Sequence, residues 1–217
     1  MRLLPLLLCL LAAPLAAHDL WLEADRRVYS GHPGPQARAE PDQRLSRLRA
    51  FDAEGRELDL EPGAHGPVAG AVLLLARFDE RLFSRLPGAG RFQPGLLEGA
   101  EEVRRLVRQG KTLLGPGLIS TRAIGEGLEL VPLTDPHRLS GGALLALRAY
   151  WQGQPLSSFT VVLDQGTAEQ SARADASGVV RLPLRPGGVY RVEHRGREPG
   201  GRMQVDTAVL YLAHPPP

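Results

Sequence analysis

The stretch FTVVLDQGTAEQSARADASGVVRLPLRPGGVYRVEH, residues 159–194, alternates apolar runs with turn residues. Gln165-Gly166, Asp175–Gly178 and Pro186–Gly188 are turn sequences, because glycine tolerates positive φ and proline fixes φ. The runs between these turns are short and rich in Val and Leu, which predicts antiparallel strands. Turns that recur about every ten residues are typical of an immunoglobulin-like β-sandwich.

The same pattern continues on both sides of this stretch and predicts a mainly β protein. We expect this protein to contain two immunoglobulin-like antiparallel β-sandwich halves, because runs with the period of a strand recur in each half. The predicted strands are 19–29, 45–52, 57–60, 68–78, 128–133, 143–151, 159–164, 169–174, 179–184, 189–194 and 204–212.

Between the two halves the pattern changes, and a single helix is predicted near 96–109. Leu96, Val103, Leu106 and Val107 have helical spacing, and acidic residues precede basic ones, as the helix dipole favours. Gly110 is the expected stop. The resulting organisation is an N-terminal β-rich domain at 18–125, which includes this helix, and a C-terminal immunoglobulin-like sandwich at 126–217.

Residues 1–17 have the pattern of a secretory signal peptide: Arg2, an apolar run, and small residues up to Ala17. A membrane-spanning helix is the alternative, but the run contains prolines and is shorter than the ~20 residues that span a bilayer. We therefore expect a periplasmic or secreted protein with no membrane span after cleavage. Cys9 is the only cysteine, so the mature chain is expected to lack thiolate ligands.

Composition and motifs argue against several classes of function. The formal net charge is +2, and no basic cluster in the sequence indicates a nucleic-acid partner. Gly110-Lys111-Thr112 lacks the earlier glycine of a phosphate-binding loop. No nucleophile motif or zinc-protease motif is present, so an enzyme is not expected.

A transition-metal site is the chemistry that the remaining residues favour. Cleavage after Ala17 leaves His18 at the N-terminus, where the α-amine and the imidazole together offer two nitrogen ligands. Asp19 and Glu23 follow closely and would either ligate through oxygen or orient the imidazole. An arbitrary residue after the cleavage site is the alternative interpretation of His18.

Four segments together resemble the bacterial DUF4198 family: the leader followed by His-Asp-Leu-Trp-Leu-Glu, Gly31-His32, Leu-Glu-Leu-Val-Pro-Leu-Thr-Asp-Pro at 128–136, and the run from Asp175 to His194. This family includes periplasmic proteins associated with nickel and cobalt uptake. The resemblance implies a metal-binding accessory protein that carries Ni²⁺ or Co²⁺ to a membrane metal transporter. His32 and His194 occupy family-like positions and would join His18 as ligands.

Several alternatives stay open from the sequence alone. His32 and His194 are also explained as solvated surface histidines. Nitrogen ligands bind Cu²⁺ more tightly than Ni²⁺ by the usual affinity order, and Zn²⁺ is a further alternative. A structural or adhesive β-sandwich that binds a protein or glycan is the competing function, and a redox-active copper site is a third.

Overall fold

A computed structural model describes residues 19–35, 37–40, 45–197 and 202–213, without the side chains of Asp19 and residues 79–81. This part of the chain is mainly β and contains two short 3₁₀ helices, Leu118–Thr121 and Pro136–Arg138. None of its helices has the length and apolarity needed to cross a bilayer. The strands are β1 Asp19–Leu22, β2 Val28–Gly31, β3 Arg38–Glu40, β4 Leu45–Phe51, β5 Glu57–Leu58, β6 Leu73–Arg85, β7 Gln93–Pro94, β8 Glu102–Leu113, β9 Leu128–Pro132, β10 Leu144–Trp151, β11 Gln154–Pro155, β12 Thr160–Asp164, β13 Glu169–Arg173, β14 Val180–Pro183, β15 Val189–Arg197 and β16 Met203–Leu212.

The centre of the fold is a nine-stranded sheet in the order β13-β12-β15-β16-β8-β6-β4-β5, with β7 paired to β6. Its ladders are antiparallel except for β8 and β16, which run parallel over the whole length from Arg104 beside Met203 to Leu113 beside Leu212. Strands from both predicted domains therefore share one sheet. The boundary at residue 125 remains a prediction.

A four-stranded sheet of β9, β10, β11 and β14 packs on one face of the nine-stranded sheet. The largest hydrophobic cluster lies between the two sheets and includes Leu113 and Leu210 from one sheet and Leu145 and Leu147 from the other. At the edge of this core the buried hydroxyl of Tyr190 donates to the carbonyl of Pro183 over 2.7 Å. The fold is thus sandwich-like, as the turn spacing indicated.

The three-stranded sheet β1-β2-β3 stands edge-on against the opposite face of the nine-stranded sheet. A Cβ on Gly110 of β8 would lie 3.5 Å from the carbonyl oxygen of Leu20, so the β1 backbone lies directly over β8. Thr112 Oγ1 donates to the carbonyl of Leu22 over 2.7 Å and so satisfies one backbone acceptor of β1. Leu20 and Trp21 then pack into separate apolar clusters on the two sides of β1.

The predicted helix at 96–109 is wrong, because this segment forms turns followed by the long central strand β8. Residues 103, 105, 107, 109, 111 and 113 share the face turned to the four-stranded sheet, a period of two that continues as far as buried Leu113. Val103 and Val107 fit both the helical period and the strand period, so the apolar positions alone did not distinguish a helix from a strand. Pairing with β6 and β16 decides the outcome.

The other predicted strands are present, with differences in extent. The strand predicted at 57–60 covers only Glu57–Leu58, and the strand predicted at 189–194 continues to Arg197. The first predicted strand is a hairpin, β1 and β2, whose turn includes Arg26 at φ 65°. The strand predicted at 68–78 begins at Leu73 and continues to Arg85. From Leu128 onward each predicted strand is present, because short antiparallel ladders follow local turn chemistry closely.

Candidate metal centre

The β12–β13 hairpin places two carboxylates side by side. Asp164 and Glu169 are direct cross-strand partners in the antiparallel register, so both side chains project from the same face. Asp164 is only 3% exposed, and its Oδ1 accepts a hydrogen bond from the backbone N–H of Gly166 over 2.7 Å. Glu169 is exposed at the start of β13. Two carboxylates opposite each other repel unless a cation or a proton lies between them.

His32 reaches this hairpin from the three-stranded sheet. It follows directly after β2, and its Nδ1 lies 2.6 Å from Oδ2 of Asp164. Since a carboxylate accepts, Nδ1–H is the donor in this pair, and the bond orients the imidazole. The His32 side chain is 45% exposed against 4% for Asp164, so the imidazole faces solvent while its partner is buried.

Gly166 allows the loop that carries His32 to contact the β12–β13 turn. Its φ of +86° is the left-handed region, and a Cβ there would lie 2.3 Å from the carbonyl oxygen of Pro33. Pro33 is buried. Only glycine meets both conditions, because it has no side chain and adopts positive φ without strain. The loop that carries His32 is therefore seated directly on the β12–β13 turn.

The ligand atoms of His32, Asp164 and Glu169 all lie within 4.8 Å of one another. One imidazole nitrogen and two carboxylate oxygens form a donor set suited to a divalent first-row ion. Asp164 has two ways to serve such an ion: direct ligation, or a hydrogen bond that orients His32 and increases its basicity. The residues present thus fit a metal ion on their chemistry and on their mutual distance.

The sequence-predicted ligands have different positions relative to this cluster. His32 is part of it. Asp19 pairs with Gly31, the residue before His32, and its side chain lies outside the described part. His18 lies outside the described residues. Glu23 follows β1 and is half-buried.

His194 lies on the other face of the nine-stranded sheet. Asp164 pairs with Val189, which shares an apolar cluster with Trp21 on the side of the three-stranded sheet. His194 is five positions further along β15, about 16 Å at 3.3 Å per residue, and the pleat turns it to the opposite side. Its ring contacts Trp151 of the four-stranded sheet with centroids 5.1 Å apart. The structure does not bring His194 to His32.

Asp164 and Glu169 are the site residues that the sequence analysis missed. A signal was present, since strands ending at Asp164 and starting at Glu169 with a four-residue turn make these two residues partners. Nothing in the sequence, however, shows that His32 packs on this turn. That contact joins residues 132 positions apart.

Lys111, within the Gly-Lys-Thr segment considered above, is part of a buried ion pair. Its Nζ donates to Glu129 Oε2 over 2.7 Å, with side-chain exposures of 2% and 1%. Burial lowers the pKa of the Lys111 ammonium below its usual value, against the opposing effect of Glu129. Glu129 also accepts the backbone N–H groups of Ile124 and Gly125. The pair ties β8 to β9 and has no exposed surface for a phosphate.

Comparison with known proteins yields one match. No curated protein and no solved structure matches the chain. The family model described as "Domain of unknown function (DUF4198)" matches residues 87–198, just over half of the 217-residue chain. Asp164 and Glu169 lie inside the matched region and His32 lies outside it. The chain belongs to the DUF4198 family.

Proposed function

We propose that this chain binds a divalent transition-metal ion through His32, Asp164 and Glu169. The observation that supports this most directly is the convergence of one imidazole and two carboxylates within 4.8 Å, contributed by two different sheets. The buried Asp164 fixes the imidazole, and the exposed Glu169 provides an accessible oxygen. Binding is expected to be pH-dependent, because the ligands must be deprotonated to receive the ion.

The biological role that we propose is an exported accessory protein for nickel or cobalt uptake that passes its ion to a membrane metal transporter. The signal-like residues 1–17 and the family resemblance support this role. The preference for Ni²⁺ or Co²⁺ depends on that resemblance, since the intrinsic affinity order favours Cu²⁺. We also infer immunoglobulin-like topology for the C-terminal strands, supported by the buried Tyr190 hydroxyl bonded to backbone upstream.

Chain connectivity supports His18 as a further ligand. Asp19 is bonded to His18, and Asp19 pairs with Gly31, which is bonded to His32. Consecutive Cα atoms are about 3.8 Å apart. Cleavage after Ala17 would leave an α-amine and an imidazole one residue before Asp19, whose partner Gly31 precedes His32, and these groups would add nitrogen ligands to the cluster.

Calorimetric titration of the exported protein tests the cluster. Ni²⁺, Co²⁺, Cu²⁺ and Zn²⁺ are titrated into the wild type, Glu169→Gln and Asp164→Asn, after mass spectrometry has located the N-terminus. We expect each substitution to weaken binding by about tenfold or more, because it removes a ligand or its orienting partner. Glu98→Gln, an exposed glutamate in a distant turn, is the matched control and should bind as the wild type does.

Two results would contradict the proposal. Equal affinity in Glu169→Gln, Asp164→Asn and the wild type would place the ion elsewhere, and no binding by the wild type would favour a structural module. A variant with one extra residue ahead of His18 tests the N-terminal ligand separately. If its affinity is unchanged, the cluster binds without the α-amine.

A further inference from the structure

Arg26 is a buried arginine in the turn between β1 and β2. Its backbone has φ 65°, and the residue is only 8% exposed. The guanidinium donates from Nε to the carbonyl oxygen of Gly66 over 2.8 Å. Among the described residues, no carboxylate forms an ion pair with it. Arginine stays charged in proteins, and a buried charge without a counter-ion is costly. An anion is therefore the group that would complete this site.

The Arg26 guanidinium is held in place by the loop that ends at Gly66. The backbone N–H of Gly66 donates to the carbonyl of Asp25 over 2.7 Å, and its carbonyl accepts from Arg26. Gly66 has φ +105°, a conformation that glycine adopts without strain. These two hydrogen bonds join the loop to the hairpin turn. The guanidinium is thus positioned before any ligand arrives, which lowers the cost of binding.

The terminal nitrogens of Arg26 open into a cleft. In the part of the chain that the structure describes, Nη1 and Nη2 form no hydrogen bond, and neither atom is sealed from solvent. Arg26 lines an open cleft of about 450 Å³. A guanidinium has five N–H donors, so four of them are available to a ligand in this cleft. Their planar fork matches the two oxygens of a carboxylate.

The other walls of the cleft are largely apolar. Three half-buried leucines line it, together with Pro62 and Ala64. The leucines are Leu45, Leu48 and Leu60. Apolar walls around a few polar groups, in a cleft of several hundred Å³, are typical of small-molecule sites. The lining thus favours a ligand that carries hydrocarbon next to its charged group.

The remaining charged groups of the lining are more exposed than Arg26. Arg47 has a side chain that is 55% exposed, and it pairs with Glu126 at 3.2 Å. Glu61 is exposed and forms no ion pair with Arg26. His65 is exposed and has an interaction of its own. Arg26 is the buried charge of the cleft, and burial strengthens its effect on the sign of the ligand.

We propose that this cleft binds a small organic carboxylate with an apolar body. The carboxylate accepts hydrogen bonds from the terminal nitrogens of Arg26, and the hydrocarbon packs against the three leucines. Inorganic phosphate also matches the guanidinium but leaves the leucines in contact with water. The site is independent of the candidate metal centre, because Arg26 precedes β2 and His32 follows it.

Titration of the protein with hexanoate, followed by nuclear magnetic resonance, tests the proposal. Acetate, 1-hexanol and inorganic phosphate are the comparators. The test variants are Arg26→Gln, which removes the charge, and Leu60→Ser, which removes part of the apolar wall. Arg27→Gln is the matched control, since it removes the same charge from the same turn at a side chain that is 60% exposed. Circular dichroism verifies that the variants fold.

We expect hexanoate to bind the wild type at least tenfold more tightly than each comparator, because only hexanoate contacts both the guanidinium and the leucines. Arg26→Gln should weaken hexanoate binding at least tenfold, and Arg27→Gln less than twofold. Leu60→Ser should weaken hexanoate binding about threefold and leave acetate binding unchanged.

Three results would overturn the proposal. The first is no binding of hexanoate by the wild type, and the second is an equal loss in Arg26→Gln and Arg27→Gln. The third is binding of phosphate or 1-hexanol as tight as that of hexanoate. If Arg26→Gln does not fold, Leu60→Ser decides the outcome, and an unchanged affinity for hexanoate in that variant would contradict the proposed site.

Discussion

Gly166→Ala tests the contact that builds the candidate metal centre without changing any proposed ligand. The added Cβ would lie 2.3 Å from the carbonyl oxygen of Pro33, whereas real Cβ contacts stay beyond 3.0 Å. The loop that carries His32 must then move by at least about 0.7 Å, or the turn must deform. Either response separates the imidazole from Asp164, to which it is now bonded at 2.6 Å.

The expected loss of stability has two parts. Alanine at positive φ costs about 1–2 kcal/mol, offset by about 0.5 kcal/mol of lost unfolded-state entropy. Weakening the charge-assisted bond between His32 and Asp164 costs about 1 kcal/mol more, discounted because the imidazole is 45% exposed. We therefore expect Gly166→Ala to lower the free energy of unfolding by about 1.5–2.5 kcal/mol.

Gly142→Ala is the matched control. Gly142 has a similar φ, +82°, but its Cβ would meet nothing within 4 Å, so this variant measures the cost of positive φ alone, about 1 kcal/mol. Urea unfolding and metal titration are run on both variants. Only Gly166→Ala should also weaken metal binding. Equal unfolding free energies and equal metal affinities in the two variants would refute the seating of the Pro33 loop on the turn.

Two further predictions concern the buried polar groups of the core. Lys111→Met should lower the unfolding free energy by about 3–5 kcal/mol in urea titrations, because it leaves the Glu129 carboxylate buried without its cation. The double variant Lys111→Met/Glu129→Gln should recover part of this loss. No recovery in the double variant would contradict this reasoning. Burial raises the pKa of both Tyr190 and Tyr211 to about 12. Between pH 10 and 12 the unfolded chain therefore releases protons that the folded chain retains. The free energy of unfolding should fall by up to about 1.4 kcal/mol per pH unit for each tyrosine. Tyr211→Phe should flatten this fall in urea midpoints measured from pH 9 to 12, and an unchanged slope would contradict the assignment.

The sequence predicts the strands of the C-terminal half because their determinants are local. Turn residues such as Asp175, whose Oδ1 accepts the backbone N–H groups of Ser177 and Val179, define both ends of the β13–β14 connection. Several hydrogen bonds to that carboxylate, with Arg181 close by, hold its pKa well below the usual range. Such turns form from neighbouring residues alone.

The segment 96–109 was predicted wrongly because its determinants are distant. Its charges and apolar spacing suit a helix, but β6 and β16 offer backbone partners on both sides. Gly110 there lies within β8 beneath β1 and does not end an element. A central strand is specified by its neighbours, which a single sequence does not reveal.

The candidate metal centre was predictable only in part, because its residues come from segments that are distant in sequence. His32 was a candidate from its loop, and the Asp164–Glu169 pair follows from hairpin register. Their meeting depends on Pro33 packing over Gly166, a contact between distant segments. His194 had an equal claim in sequence, yet the strand pleat directs it to Trp151.

Anomalous diffraction at the cobalt edge, from crystals of the protein loaded with Co²⁺, tests the central claim most directly. The account predicts one strong peak within about 2.0–2.3 Å of a His32 ring nitrogen and of a Glu169 carboxylate oxygen. The peak should disappear in crystals of Glu169→Gln prepared in the same way. A peak at another histidine, such as His194, or no ordered cobalt at the β12–β13 hairpin, would contradict the account.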